Sequence, residues 1–177
     1  QDFDNDGLTL SQELIAGTSF ADPDSDSDGL TDGAEALART DPLDEDTDAD
    51  GLLDSVETNT GTFISNTNTG TNPLDEDTDA DGLLDSVETY TSEFLSATST
   101  GTNPLDSDSD EDGLLDGVET NTGEFLSATS TGTSPLNSDS DGDGLVDSVE
   151  TNSGAYVSSA DTGTSPSDSD SDDDGLL

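Results

Sequence analysis

The 177-residue chain contains no Cys, no His, no Met and no Trp, and its 45 Asp and Glu residues face a single basic residue, Arg39. Without Cys there is no disulfide or thiol redox pair, and without His as well the usual ligand sets of zinc, copper and haem fall away together. What remains for holding a metal is oxygen. The formal charge of −44 excludes nucleic acid and anionic membrane surfaces as partners, because both carry the same sign and neither releases counterions to a polyanion. Hydrophobic residues make up 26% and aromatics 4%, too little apolar surface to offset the entropy of ordering the chain. In the absence of ions the chain is expected to be disordered. No apolar run exceeds a few residues, as at Leu14, Ile15 and Ala16, so no membrane insertion is expected, and no signal-peptide pattern opens the chain. The last letters fall inside a motif, so the sequence reads as a window on a longer repetitive chain.

What is present is a repeat. An Asp-x-Asp-x-Asp-Gly core begins at Asp2, Asp24, Asp46, Asp77, Asp108, Asp139 and Asp170, at spacings of 22, 22, 31, 31, 31 and 31 residues. The chain divides accordingly into two 22-residue repeats over 1–45, four 31-residue repeats at 46–76, 77–107, 108–138 and 139–169, and the start of another at 170–177. The longer period carries nine extra residues between the motif's Glu and the next Pro, as in "TNTGTFISNTNTGTNP" after Glu57. Gly, Pro, Asn, Asp, Ser and Thr dominate, so regular structure should be brief. "SQELIAG" and "GAEALAR" suit one or two helical turns, and "TFIS", "EFLS" and "AYVS" suit short strands or hairpin edges. Each repeat is expected to touch mainly its neighbours in a linear array.

The motif spacing fits calcium chemistry. A calcium ion takes 6 to 8 oxygens, and a loop that wraps it must supply side chains alternately, turn at a Gly and then offer a backbone carbonyl, the ligand order of an EF-hand loop. Counting from the first Asp, position 1 is Asp2, Asp24, Asp46, Asp77, Asp108, Asp139 or Asp170. Position 3 is Asp4, Asp26, Asp48, Asp79, Asp110, Asp141 or Asp172, and position 5 is Asp6, Asp28, Asp50, Asp81, Asp112, Asp143 or Asp174. After the Gly, position 7 would offer the carbonyl of Leu8, Leu30, Leu52, Leu83, Leu114, Leu145 or Leu176. Position 9 is Asp32, Asp54, Asp85, Asp116 or Asp147, and position 12 is Glu13, Glu35, Glu57, Glu88, Glu119 or Glu150, long enough to bind through both oxygens. The first loop has Leu10 at position 9, so its ion should be held more weakly. Two residues before the later motifs stand Asp22, Asp44, Asp75, Asp106, Asn137 and Asp168. They extend the oxygen row and raise the alternative of two ions per repeat instead of one. Magnesium demands a tighter octahedron and keeps its waters, so this ligand-rich loop favours calcium.

These motifs resemble thrombospondin type 3 repeats in the form found in bacterial secreted and cell-surface proteins. The register of "DSDSDGLTDGAEALARTDPLDEDTDADGL" and the extension "TNTG…TGTNP" carry the resemblance along essentially the whole chain. It implies an extracellular or cell-surface calcium-wrapped rod with little regular secondary structure and often paired ion sites. Animal members carry cysteines that are absent here, which leaves calcium as the only staple. The fold class expected is therefore a linear calcium-stabilised tandem-repeat rod of irregular loops, short helical turns and short hairpins, with no conventional hydrophobic core.

Within the inserts Phe63, Phe94, Phe125 and Tyr156 precede Ile64, Leu95, Leu126 and Val157. Position 8 is Leu53, Leu84, Leu115 or Val146 where an insert follows, and Thr9 or Thr31 where none does. That correlation predicts a small satellite core in each long repeat, the insert's aromatic covering the position-8 aliphatic together with Val56, Val87, Val118 or Val149, with roughly 2 to 4 kcal/mol from burying such a pair. On the same rule, Leu177 predicts a further insert beyond it. Ser and Thr exceed a quarter of the chain and no Asn-x-Ser/Thr acceptor occurs, which leaves O-linked glycan on insert hydroxyls as the modification to consider. The function expected is structural: a secreted filament that stiffens on loading with calcium through self-association, with the stalk of a surface adhesin joined to neighbouring domains as the alternative. A dockerin-like docking module is a second alternative, although Pro42, Pro73, Pro104, Pro135 and Pro166 leave helices little room. Mineral nucleation or calcium buffering would not require fixed Gly and Leu positions. No nucleophile-base pair or catalytic His suggests an enzyme.

Overall fold

The computed structural model describes residues 1–175. Leu176, expected as a carbonyl ligand, and the insert anticipated beyond Leu177 lie outside the described residues. The chain forms two compact units, Gln1–Thr78 and Asp79–Leu177, with the boundary inside the fourth acidic loop.

In the first unit two seven-residue helices follow the first two loops, α1 at Leu10–Ala16 and α2 at Asp32–Ala38. Each begins after an extended Thr. The Thr9 N–H donates to Gln12 Oε1 at 3.0 Å, and the Thr31 hydroxyl accepts from the Ala34 N–H at 3.3 Å, so the first turns are capped. Each ends on a left-handed residue, Gly17 at φ 91° and Arg39 at φ 76°, whose N–H closes onto the carbonyl of the loop's Glu. The Ala and Leu residues after Glu13 and Glu35 sustain these turns. After Glu57 the chain reads Thr-Asn-Thr-Gly, which does not, and the helix shrinks to a 3-10 turn over Asp54–Val56. In the second unit the same turn recurs at Asp85–Val87, Asp116–Val118 and Asp147–Val149.

The inserts form tight hairpins. After Glu57, the Asn59 N–H donates to the Thr71 carbonyl at 2.8 Å, Gly61 to Gly70 at 3.0 Å and Ile64 to Asn68 at 3.0 Å, while Thr69 donates back to Val56 at 2.9 Å. Pairing is limited to single antiparallel bridges, Ser65↔Asn68 and its equivalents Ser96↔Ser99, Ser127↔Ser130 and Ser158↔Asp161. One close approach explains the Thr-Gly-Thr that ends each insert. A Cβ on Gly132 would stand 2.4 Å from the Glu124 carbonyl oxygen, and Gly70, Gly101 and Gly163 meet Thr62, Glu93 and Ala155 in the same way.

The expected satellite core is at most half-buried: Phe63, Phe94 and Phe125 and the valines Val56, Val87, Val118 and Val149 are half-buried, while Leu53 and Leu84 are 37% exposed, Ile64, Leu95 and Leu126 68% and Tyr156 73%. The interior is instead acidic. Leu8 is the one buried large hydrophobic side chain among the described residues, whereas Glu13, Glu35, Asp32, Asp54, Asp116 and Asp147 are buried to 2% exposure or less.

Replacing Gly123 by Ala, at φ 70° with no atom within 4 Å, should cost about 1 to 2 kcal/mol from the left-handed backbone alone. Gly132→Ala adds the clash and should cost more, opening the hairpin. Hydrogen exchange at the Asn121 and Gly123 amides measures this: equal protection in both variants would contradict the close approach.

Candidate metal centres

Every loop is first a backbone turn organised by its own carboxylates. The position-6 glycines all adopt φ between 84° and 111°, a turn that side-chain-bearing residues disfavour. The position-1 Asp closes it: Asp139 accepts from the Gly142 and Gly144 N–H groups at 2.8 and 3.0 Å, and Asp108 from Asp112 and Gly113 at 3.1 and 2.9 Å. The position-5 Asp accepts from the position-7 Leu N–H, at 2.6 Å in the pairs Leu30–Asp28 and Leu114–Asp112.

Inside this frame the acidic oxygens converge. Ligand atoms of Asp2, Asp4 and Asp6 lie within 4.8 Å of one another, as do those of Asp24, Asp26 and Asp28, and those of Asp46, Asp48 and Asp50. Both carboxylate oxygens of Glu13 and Glu35 are buried without a hydrogen-bond donor, and so is one oxygen of each of Asp26, Asp110, Glu119 and Asp141. Buried polar atoms are ordinarily paired, and an unpaired buried carboxylate is costly. A hard divalent cation is the partner that this oxygen-only set fits, with the Asp at positions 1, 3 and 5 and the Glu at position 12 as the residues that would hold it. The six side chains two residues before the motifs, Asp22, Asp44, Asp75, Asp106, Asn137 and Asp168, are all exposed. The N–H groups of three of them close turns, Asp75 onto the Asn72 carbonyl at 3.0 Å, Asn137 onto Ser134 at 3.0 Å and Asp168 onto Ser165 at 3.2 Å.

Position 9 has a role that sequence reasoning missed. Its carboxylate is held by the position-2 residue, whose N–H and hydroxyl each donate to one oxygen: Ser25 to Asp32 at 2.8 and 2.8 Å, Thr47 to Asp54 at 2.9 and 2.6 Å, Ser109 to Asp116 at 2.9 and 2.6 Å, Ser140 to Asp147 at 2.9 and 2.7 Å. The same hydroxyl receives the N–H of the residue entering the loop, Ser19, Asp41, Ser134 or, for Ser109, Asn103. So held, the position-9 carboxylate sits against the preceding loop. Asp32 raises the pKa of Glu13, Asp54 that of Glu35 and Asp147 that of Glu119. A signal for this was present: the loop with Leu10 at position 9 is also the loop with Phe3, and no hydroxyl, at position 2. Leu10 therefore does not deprive the first loop of this carboxylate, since Asp32 supplies one beside Glu13.

Consecutive loops dock through position 10. The Ser55 N–H and hydroxyl donate to the Asp28 carboxylate and carbonyl at 2.9 and 2.8 Å, and Ser148 repeats both bonds to Asp112. Where position 10 is Gly the backbones close up directly, so that a Cβ on Gly33 would stand 2.2 Å from the Asp6 carbonyl oxygen and one on Gly117 2.4 Å from that of Asp81.

The insert threonines are the other unforeseen participants. Thr71 and Thr133, at 0% and 1% exposure, donate to Glu57 and Glu119 at 3.0 and 2.9 Å, whereas both oxygens of Glu88 and Glu150 are buried without a donor although Thr102 and Thr164 are near enough to oppose the rise in their pKa. Buried Thr69, Thr100 and Thr131 stand 2.6 Å behind them, so these hydroxyls are not available to a glycan.

Burial, reinforced by crowding of like charge, raises the pKa values of the interior carboxylates in the metal-free fold. Burial, then Asp26 and Asp28, push Glu35 up to about 8, and burial, then Asp81 and Asp79, push Glu88 to about 9. Burial also lifts Glu119 to about 9 against the opposing Thr133 bond, Glu150 to about 7, and Asp110 and Asp116 to about 6.

The bacterial TSP3 repeat family model matches residues 24–45, 108–123 and 139–154. No curated protein matches the chain. Among solved structures, a biofilm associated protein B domain is 37% identical over 25% of this chain and 11% of its own, with a TM-score of 0.25. A biofilm associated protein BSP domain is 38% identical over 24% of this chain and 8% of its own, with a TM-score of 0.24. The chain thus spans about a tenth of the length of those proteins, and superpositions this partial carry no argument about fold or role. Among the described residues no helix is long and apolar enough to cross a membrane.

Because the shifted carboxylates have folded pKa values above their unfolded ones, the folded state without metal holds more protons than the unfolded chain between about pH 4.5 and 9. Stability then falls as pH rises through that window. In metal-free buffer, scattering should show the chain most compact below pH 4.5 and expanding toward pH 9. Calcium acts on the ionised groups, so in its presence the binding midpoint should move to higher calcium as pH falls. Dimensions independent of pH without metal would contradict the acidic interior.

Proposed function

We propose, starting from the bacterial TSP3 repeats that this chain carries at 24–45, 108–123 and 139–154, that it is a non-catalytic, extracellular or cell-surface structural segment that folds on calcium and self-associates into a stiff filament. The observation that carries the reading is an interior made of carboxylates: Glu13 and Glu35, at 1% and 0% exposure, aim both oxygens inward with no donor to meet them. Calcium, when bound, supplies the positive charge that such an interior lacks. The chain's own residues do the rest. The position-1 and position-5 carboxylates fold each loop onto its backbone, the position-2 hydroxyl aims position 9 at the preceding loop, and position 10 locks one loop to the next. Order in one loop thereby favours order in its neighbour, as expected of a linear array.

Sites of extracellular grade, with dissociation constants of about 10⁻⁴ to 10⁻³ M, are filled outside a cell and nearly empty in its cytosol, so folding is coupled to export. Neither cysteine nor apolar core offers a substitute. A docking module of the dockerin type asks for helices of several turns after each loop, whereas α1 and α2 have seven residues each and the remaining loops lead into three-residue turns. O-linked glycan, on this reading, belongs on exposed hairpin-tip residues such as Thr67, Thr98 and Thr129.

The test is circular dichroism, small-angle scattering and electron microscopy of the purified chain across 1 µM to 10 mM calcium. The expected result is an expanded coil in chelator that becomes a rod, and then a fibre, as calcium approaches millimolar. A rod that persists in excess chelator, or a coil unchanged at 10 mM calcium, overturns the proposal. Loaded rods that stay monomeric replace the filament with the stalk of a surface adhesin.

A further inference from the structure

The nine-residue insert lies between the motif's Glu and one particular Thr. In the short repeats that Thr follows the Glu by five residues, as Thr18 after Glu13 and Thr40 after Glu35; in the long ones it follows by fourteen, as Thr71 after Glu57 and Thr133 after Glu119. The pair is common to both repeat types. Its geometry is not.

In the short repeats the Thr18 and Thr40 hydroxyls are buried with no partner, and both oxygens of Glu13 and Glu35 lack a donor. In the long repeats of Glu57 and Glu119 the hairpin carries the Thr back onto the Glu, while in those of Glu88 and Glu150 both carboxylate oxygens still lack a donor. Thr133 Oγ1 lies 2.9 Å from Glu119 Oε1, and Thr131 Oγ1 lies 2.6 Å behind it. The proton order follows from valence. Once Glu119 is ionised, as a calcium ligand must be, it only accepts, so the single hydroxyl proton of Thr133 goes to Glu119, and the 2.6 Å contact must then use the proton of Thr131. The Val118 carbonyl, 3.2 Å from Thr131 Oγ1, is already served by the Thr131 N–H at 3.0 Å. Two hydroxyls in series thus point into one carboxylate oxygen and leave Glu119 Oε2, buried and without a donor, turned elsewhere. Thr71 and Thr69 repeat the arrangement on Glu57 at 3.0 and 2.6 Å.

We infer that the insert of the Glu57 and Glu119 repeats is a device for positioning the Glu ligand, and that the chain therefore carries two classes of calcium loop: braced loops at Glu57 and Glu119, whose Glu is held by a Thr pair, and open loops at Glu13, Glu35, Glu88 and Glu150, whose Glu meets no donor. Thr133 and Thr71 are positioning residues that act through the Glu. A fixed ligand loses less entropy on binding, so the braced loops fill at lower calcium than the open ones. Hydrogen-bond partners behind a metal ligand typically change affinity by about 10- to 100-fold. This inference rests on the calcium reading above.

The test follows single loops in one chain, by calcium titration of ¹⁵N-labelled protein read at the Gly113 amide, in the loop that Glu119 closes, and at the Gly29 amide, in the loop that Glu35 closes. Wild type should show Gly113 responding at lower calcium than Gly29. Thr133→Val, which keeps the shape and removes the hydroxyl, should move the Gly113 midpoint about 10- to 100-fold higher and leave Gly29 in place. Thr133→Ser should restore it, which a purely packing role for the methyl would not allow, and Thr40→Val should leave both midpoints as in wild type. An unmoved Gly113 midpoint in Thr133→Val, a Thr133→Ser variant as weak as Thr133→Val, or a Thr40→Val variant that shifts Gly29 to the same degree overturns the brace. A wild-type chain that shows no response to calcium at either glycine fails the calcium reading itself, a separate result.

Discussion

Repulsion between carboxylates held a few ångströms apart is the constraint to which every other feature of this protein answers. A chain at −44 with one Arg cannot neutralise itself by ion pairs, and its apolar residues are too few to offset the entropy of folding. Placing Glu13, Glu35 and the position-9 Asp residues at the centre of the repeats makes the problem worse in the absence of a cation, as the upward displacement of Glu35, Glu88 and Glu119 records. An ordinary interior would bury the aliphatic residues and leave the acids outside. Here Leu14, Ile15 and Leu37 are more than 80% exposed while Glu35 is fully buried. Such an inversion is favourable only when the buried charges meet charge of the other sign.

The uncharged residues serve that arrangement. Ser or Thr at position 2 looks like filler between aspartates, yet it makes three hydrogen bonds at once, two to the position-9 Asp of its own loop and one from the residue that enters the loop. Because that Asp faces the preceding loop, each repeat is completed by its successor. The geometry has a direction along the chain: the first loop draws on Asp32 of the second, while a loop at the downstream end of any such array would lack this carboxylate. Position 10 reinforces the direction, since Ser55 and Ser148 reach back to Asp28 and Asp112 and never forward.

The sequence shows the loops plainly because their chemistry is local. Gly at position 6, Asp at 1, 3 and 5 and Glu at 12 all act within twelve residues, and their order can be read without knowing where the chain goes next. Helical turns at "SQELIAG" and "GAEALAR" and hairpin edges at "TFIS" were legible for the same reason, although the helices begin at position 9, before those Glu residues, because Thr9 and Thr31 cap them there. What could not be read depends on contacts between segments. The backward reach of position 9 requires the docking of two loops, and the Thr133–Glu119 bond requires a hairpin to bring together residues fourteen apart. How far an insert covers its loop depends on the same docking of distant segments: Phe63 is half-buried, whereas Ile64, next to it on an extended hairpin arm, points to the opposite side. Ile64 accordingly faces water.

The two repeat lengths then represent two answers to one mechanical question, how to hold a Glu against its own kind. In the short repeats α1 and α2 carry Glu13 and Glu35 from a helical backbone, with the carbonyl of each Glu receiving the N–H of Gly17 or Arg39 and the side chain left unbraced. In the long repeats the helix is cut to three residues, the backbone at Glu57 becomes extended, and at Glu57 and Glu119 the hold passes from the backbone to the Thr hydroxyls that the hairpin returns. A helix needs Ala and Leu after the Glu, and they end up in solvent at Leu14 and Leu37. A hairpin needs Gly where its arms meet and Thr at the site, and it exposes one aliphatic residue at its tip. Both solutions expose apolar surface, and only the hairpin, at Glu57 and Glu119, adds a donor to the carboxylate. That donor lies within the very group whose repulsion must be managed, which is why the longer repeat is more than a spacer.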